Sequence, residues 1–234
     1  MKKYEIEFNK RLESCNNKDE IETILDIASK QVFKRFKVAC DSKLLGVIYF
    51  TTVDAIVKEM YRLSKTHDKY QVSLCGRLLV SFGNGETDDE LEKVGNITLT
   101  FKHNKYEKLD PKSELDDTVA NDLARWEAAN IIDNKSFAHK VAIDARDVLD
   151  KYGCVIIQDL IFPVFIAVYE TAIEYIINSR HEKDELEYQI NLLDTIIIKA
   201  LEVIEEDADD ITEILITPSV RYKQLMKDDK KASE

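Results

Sequence analysis

Residues 160–206 read LIFPVFIAVYETAIEYIINSRHEKDELEYQINLLDTIIIKALEVIEE, the densest apolar stretch of the chain. Their reading decides the fold. Leu186, Ile190, Leu193, Ile197, Ala200 and Ile204 recur at alternating steps of four and three. That spacing is the seam of a helix packed along its length on another helix. The stretch therefore predicts two long helices joined at residues 180–183. The uninterrupted apolar run 160–169 is shorter than the ~20 residues that cross a bilayer, and Asp159 borders it, so it reads as buried core. Nothing in the seam is chemical.

Working outward, the whole chain has 234 residues, 44% of them hydrophobic and 33% charged. That length buries a substantial core as one large domain or two small ones. Only 6 Gly and 3 Pro are present, which favours long regular elements over a turn-rich β-sandwich. The net charge is −12. A duplex-binding protein replaces phosphate counterions with Lys and Arg, so sequence-specific nucleic-acid binding is not expected. The charge is uneven: residues 1–66 carry 13 Lys+Arg against 10 Asp+Glu, a balance of +3 that leaves −15 for the rest. The imbalance fits a solvated acidic face. It also fits head-to-tail contact, the basic N-terminal part of one copy meeting the acidic part of the next. Cys15, Cys40, Cys75 and Cys154 are scattered, with no CxxC pair, and read as reduced thiols. The opening MKKYEIEFNK has no apolar core of a signal peptide.

Toward the N-terminus, residues 3–15 predict a short amphipathic helix with Phe8, Leu12 and Cys15 on one face. Asn17, with Glu20 three residues on, signals the start of a second helix running to about Cys40. Its buried stripe is Ile21, Ile24, Leu25, Ala28, Val32 and Phe36. Lys30, Lys34, Arg35 and Lys37 crowd its last turns, where cations complement the helix dipole; the same cluster would suit an acidic partner surface. Residues 44–65 read as helix, with a short β-branched strand at 47–52 as the alternative and Thr52 as the cap of a fresh helix.

Then the period changes to two. Tyr70, Val72, Leu74, Leu78, Val80 and Phe82 form one strand with a bend at Gly76, and Ile97, Leu99 and Phe101 a second. Between them lies an acidic tip with Glu86, Asp88, Asp89, Glu90 and Glu92. Residues 103–117 read as a linker and 117–132 as a helix. Ser136 marks the cap of another, with Ala138, Val141, Ala142, Ala145, Val148 and Leu149 along one side and Gly153 ending it. Pro163 falls near the start of the next helix, where it is tolerated. Residues 211–217 read as strand or helix, with a strand beside the hairpin as one outcome, and the charged stretch 221–234, including Arg221 and Tyr222, as a trailing arm.

Signatures of chemistry are weak throughout. His181-Glu182 lacks the second His of a zincin, and none of the four histidines lies in the Glu-x-x-His pair of a di-iron bundle. Asp207, Asp209, Asp210 and Glu213 are rich in oxygen but do not fit a calcium loop. Gly83-Asn84-Gly85 is a turn without a Walker lysine. Glu170 and Glu174 stand one helical turn apart and read as a solvated face; buried, they would be an acid–base pair. No catalytic, metal or cofactor site is expected.

The fold expected is mainly α: a helical bundle with an inserted β-hairpin and a C-terminal arm. Its parts are N-terminal helices 1–66, hairpin 67–103, linker 104–116, helical core 117–206 and arm 207–234, forming one compact domain. This layout resembles tailed-bacteriophage virion proteins, head–tail connector (ring) proteins and auxiliary capsid proteins among them. The resemblance rests on the core 117–206, the hairpin strands and the trailing arm, and no specific motif carries it. It implies a non-enzymatic protein of the virion that contacts protein partners as a homo-oligomer within a larger assembly, away from membranes. The residues expected at such contacts are Lys34, Arg35, Lys37, Glu86, Asp88, Asp89, Arg221 and Tyr222. The alternative is a cytoplasmic regulatory binding module, or an enzyme's accessory subunit, with a groove between the helices of 117–206.

Overall fold

The structure, a computed structural model, describes residues 2–64, 69–74, 78–83, 96–101, 134–183, 186–203 and 211–219. It is mainly helical. The helices are α1 (Lys3–Glu13), α2 (Lys18–Phe36), α3 (Ser42–Ser64), α4 (Asn134–Lys151) and α5 (Ile161–Lys183). The strands are β1 (Lys69–Leu74), β2 (Leu78–Gly83), β3 (Asn96–Phe101), β4 (Glu187–Leu192), β5 (Ile196–Val203) and β6 (Ile211–Pro218). The chain divides into two compact units, one of residues 1–58 with 141–234 and one of residues 59–140.

In the first unit, α1 buries Phe8 and Leu12, and α2 buries Ile21, Ile24, Leu25, Ala28 and Val32, all five read from the helical period. Asp41 opens α3: its carboxylate accepts the Leu44 N–H at 2.8 Å, satisfying one orphan donor of the first turn. The same carboxylate accepts the Tyr4 hydroxyl at 2.9 Å, tying α1 to that cap. The stretch 47–52 is helix, not strand, because Val47, Ile48, Tyr49 and Phe50 are all buried and so cover more than one face. Thr52 caps nothing; its hydroxyl bonds back to the Ile48 carbonyl at 2.7 Å.

Helix α4 ends as its glycine foretells. Gly153 sits at φ 78, its N–H bonds the Asp150 carbonyl at 3.0 Å, and the Cys154 N–H bonds the Leu149 carbonyl at 2.9 Å. This is a Schellman motif. Ser136 lies inside α4, two residues after its start, and does not cap it. Pro163 occupies the first turn of α5, which packs on α2 and on strands β4 and β5. Tyr49 stacks on Phe165 at 5.6 Å, and Phe165 lies 6.0 Å from Tyr169. By length and composition, residues 158–180 could cross a membrane, apolar character extending well beyond residue 169; most of that stretch is buried within the protein.

The second long helix expected after residue 183 is instead a β-hairpin, β4 and β5, extended by β6 into an antiparallel sheet of order β4-β5-β6. Tyr188, Ile190 and Leu192 are buried at alternate positions, opposite Ala200, Ile198 and Ile196. The helical seam accounted for Ile190, Leu193 and Ala200 but left Leu192, Ile196 and Ile198 off-face, while Leu186, on the seam, is 68% exposed. A helix carrying all of them would be apolar nearly all round. The β-branched run Ile196–Ile198 favours the pleat instead. Leu193 and Asp194 turn the chain at φ 50 and 53, the left-handed pair that matches strand twist in a tight hairpin. The Thr195 N–H closes the turn on the Leu192 carbonyl at 3.1 Å. Ser219, just past β6, holds it from outside, its N–H on the Thr195 carbonyl and its hydroxyl on the Asp194 carbonyl. Residues 211–217 are therefore strand, paired with β5 and not with the earlier hairpin.

In the second unit, the single strand expected across residues 70–82 is two strands, so the hairpin is a three-stranded antiparallel meander β1-β2-β3. Its register aligns Tyr70, Phe82 and Ile97, then Val72, Val80 and Leu99, then Leu74, Leu78 and Phe101. Those nine residues are the apolar set of the period-2 reading, brought into register with one another. The acidic tip, the linker, the helix expected at 117–132 and the arm 221–234 lie outside the described residues.

Candidate functional site

Helix α2 ends on Lys37, held at φ 58 with its N–H on the Phe33 carbonyl at 2.9 Å. A left-handed lysine is uncommon away from glycine and asparagine, and it stops the helix abruptly with its last carbonyls pointing outward. Lys34 and Arg35 stand in that final turn, where the partial negative charge of the helix end favours cations. Opposite the buried stripe, at steps of three and four, lie Ile27, Lys30, Phe33 and Lys34, all exposed. Phe33 is 55% exposed and Phe36 is 36% exposed. One half-exposed and one one-third-exposed aromatic ring, on the same final turns as exposed Lys30, Lys34 and Lys37, form a basic–aromatic turn.

Arg35 is anchored within the chain. Its guanidinium donates to the Glu170 carboxylate of α5 at 2.8 Å, and the carboxylate is mostly buried while the arginine side chain stays about half exposed. The ion pair pins the end of α2 against α5, so the turn is presented on a rigid support rather than on a loop. It also settles the Glu170–Glu174 pair: Glu170 is engaged by Arg35 and Glu174 is exposed, so the two are not a shared buried acid–base site.

A second exposed apolar place follows α4. After the Schellman turn buries Cys154, Val155 is 100% exposed and Ile157 is 68% exposed. Exposed Asp150 and Asp159 flank them. Ile157 has extended backbone, φ −70 and ψ 126, so its side chain and that of Val155 leave a short extended segment two residues apart. This connector is acidic and apolar where the end of α2 is basic and aromatic.

Other polar groups of the first unit tie its elements together. Arg11, buried, forms an ion pair with Asp54, and its guanidinium carbon lies 4.4 Å from the centre of the Phe50 ring. Burial pushes the Tyr49 and Tyr169 phenols well above their ordinary range. The thiols of Cys15, Cys40 and Cys154 are buried, and desolvation raises each of them, opposite to what a thiolate nucleophile needs. Among the described residues no group of His, Cys, Asp and Glu is placed to hold a metal ion.

Of the residues read from sequence as contacts, Lys34, Arg35 and Lys37 come together at the end of α2. Glu86, Asp88, Asp89, Arg221 and Tyr222 lie outside the described residues, as do Asp207, Asp209 and Asp210. The sequence reading missed both rings. Phe36 continues the i, i+4 step from Val32 that the period places in the core, but as the last residue of α2 it is only partly covered, 36% exposed. Phe33 is apolar, off-stripe and set between Lys30 and Lys34; that mismatch is the signal that marks it. The sequence reading gives Val155 and Ile157 no role. No protein-family model, curated protein or solved structure matches the chain.

Proposed function

We propose that this chain is a non-enzymatic assembly protein that acts through contact with other protein, using the basic–aromatic turn at the end of α2. One observation carries the reading: Phe33, 55% exposed, and Phe36, 36% exposed, lie near exposed Lys30, Lys34 and Lys37 on a helix end braced by the Arg35–Glu170 pair. A fully buried aromatic side chain covers on the order of 150–250 Å², of which Phe33 has about half and Phe36 about a third still open, and interface cores are enriched in aromatic residues with a polar rim. The narrower form of the reading is a tailed-phage virion component, a head–tail ring or auxiliary capsid protein. Only part of the layout supports it, helices toward the N-terminus followed by a β-meander and two further helices; the last described elements are the strands β4, β5 and β6, not helices.

The test is the size of the particle that contains the chain in an extract of cells where it is natively made. Assembly predicts a species well above the 27.0 kDa of one chain, and its loss when Phe33→Ser and Phe36→Ser are introduced together. A native species at the mass of one chain would overturn the proposal.

A further inference from the structure

Resting on that reading, we infer that the partner of the α2 turn is a second copy of this chain, and that the turn docks on the other copy's connector around Val155 and Ile157. Among the described residues, Ile6, Ile27, Phe33, Phe36, Val155, Ile157 and Leu186 are the large apolar side chains left exposed. Two pairs among them are complementary. Phe33 and Phe36 are bordered by Lys34 and Lys37, and Val155 and Ile157 by Asp150 and Asp159, whose two carboxylates outweigh the one exposed Lys151 between them. Within one interface each apolar pair would cover the other, and each cation would meet a carboxylate at the rim.

The two backbones suit that role. The connector is extended, with Val155 fully in water immediately after a Schellman turn has fixed its direction, and the opposing surface is a helix end held by an ion pair. Neither side must order a flexible segment on docking, which lowers the entropic cost of association. The surfaces differ from each other, so the contact joins unlike patches. Such contacts close into rings when the rotation between copies permits and otherwise propagate. Chain-wide charge agrees: residues 1–66 sum to +3 within a chain of −12, so copies that are similarly acidic overall repel except where the first quarter of one meets the remainder of another.

Charge exchange in the purified full chain tests the inference, read as mass by sedimentation across a range of concentrations. The wild-type protein should associate. Lys34→Glu with Lys37→Glu should weaken association about 10- to 100-fold, as should Asp150→Lys with Asp159→Lys. Mixing the two double variants should restore association, because each supplies the sign the other has lost. All four positions are exposed, and circular dichroism of each variant checks that the fold is kept. A wild-type chain that stays monomeric, or folded variants that fail to complement each other, would overturn the inference. If the native extract still contains a large particle that the Phe33→Ser, Phe36→Ser variant loses, the partner is another protein and the contact-surface reading stands.

Discussion

Gly46 shows how tightly single residues are specified. A Cβ there would lie 2.5 and 2.8 Å from ring carbons of Phe8 and 3.2 Å from Leu193. The absent side chain lets α1 and the β4–β5 turn approach the backbone of α3 together. Phe8 and Leu193 are both buried, so neither has room to retreat. We expect Gly46→Ala to cost about 1–3 kcal/mol in chemical denaturation, with part of the loss recovered by Phe8→Leu; an unchanged midpoint would contradict this packing. The thiols give a second expectation. Each is raised by burial, so its contribution to stability is complete below the unfolded thiol's pKa of about 8.5 and drains away as pH rises through the higher folded value. Tyr49 and Tyr169 add the same sign above about 10, the ordinary tyrosine value. Stability should therefore fall progressively on the alkaline side, and Cys15, Cys40 and Cys154 should react slowly with a thiol reagent at pH 8 until the protein unfolds. Prompt modification of those three in the folded chain would show that they are not buried.

At the scale of elements, legibility followed how many periods each stretch allowed. Helices α1 and α2 could be read because Phe8, Leu12, Ile21, Ile24, Leu25, Ala28 and Val32 fit one helical face and no strand alternation, whereas the β-branched stretch 47–52 left α3 open to a strand. The nine apolar residues of the meander fit only period two, though the turn that splits residues 70–82 was read as a bend. The stretch 186–203 allowed both periods. Leu192-Leu193 and Ile196-Ile197-Ile198 put apolar residues at adjacent positions, so a seam of fours and threes can be drawn through what is a hairpin. The turn itself, Leu193-Asp194, lacks the glycine that advertises a left-handed pair; the energy that holds it comes from burial of Leu193 and the bonds from Ser219, which are tertiary and invisible locally. The helix seam makes Leu186 a core residue and spares Leu192, while the sheet does the reverse. We expect Leu192→Ala to cost about 2–5 kcal/mol and Leu186→Ala within about 0.5 kcal/mol in parallel unfolding titrations. The opposite ranking would restore the helix.

For the molecule as a whole, the candidate site was half legible. The cations at the end of α2 stand out by charge and Phe33 by lying opposite the buried stripe, whereas the partial exposure of Phe36, which continues that stripe, is set by tertiary packing that no local pattern records. A net charge of −12 with a basic first quarter also makes association sensitive to salt. If rim charges steer it, raising ionic strength from about 0.05 M toward 1 M, where the screening length falls to about 3 Å, should slow association far more than dissociation.

The most direct test of a contact surface at the end of α2 is side-chain footprinting by hydroxyl radicals, comparing the isolated chain with its native assembly. Phe33 and Phe36 should label readily in the isolated chain and become strongly protected in the assembly, while buried Phe165 is silent in both. Equal labelling of Phe33 and Phe36 in the two states would contradict the claim that this chain works by touching protein there.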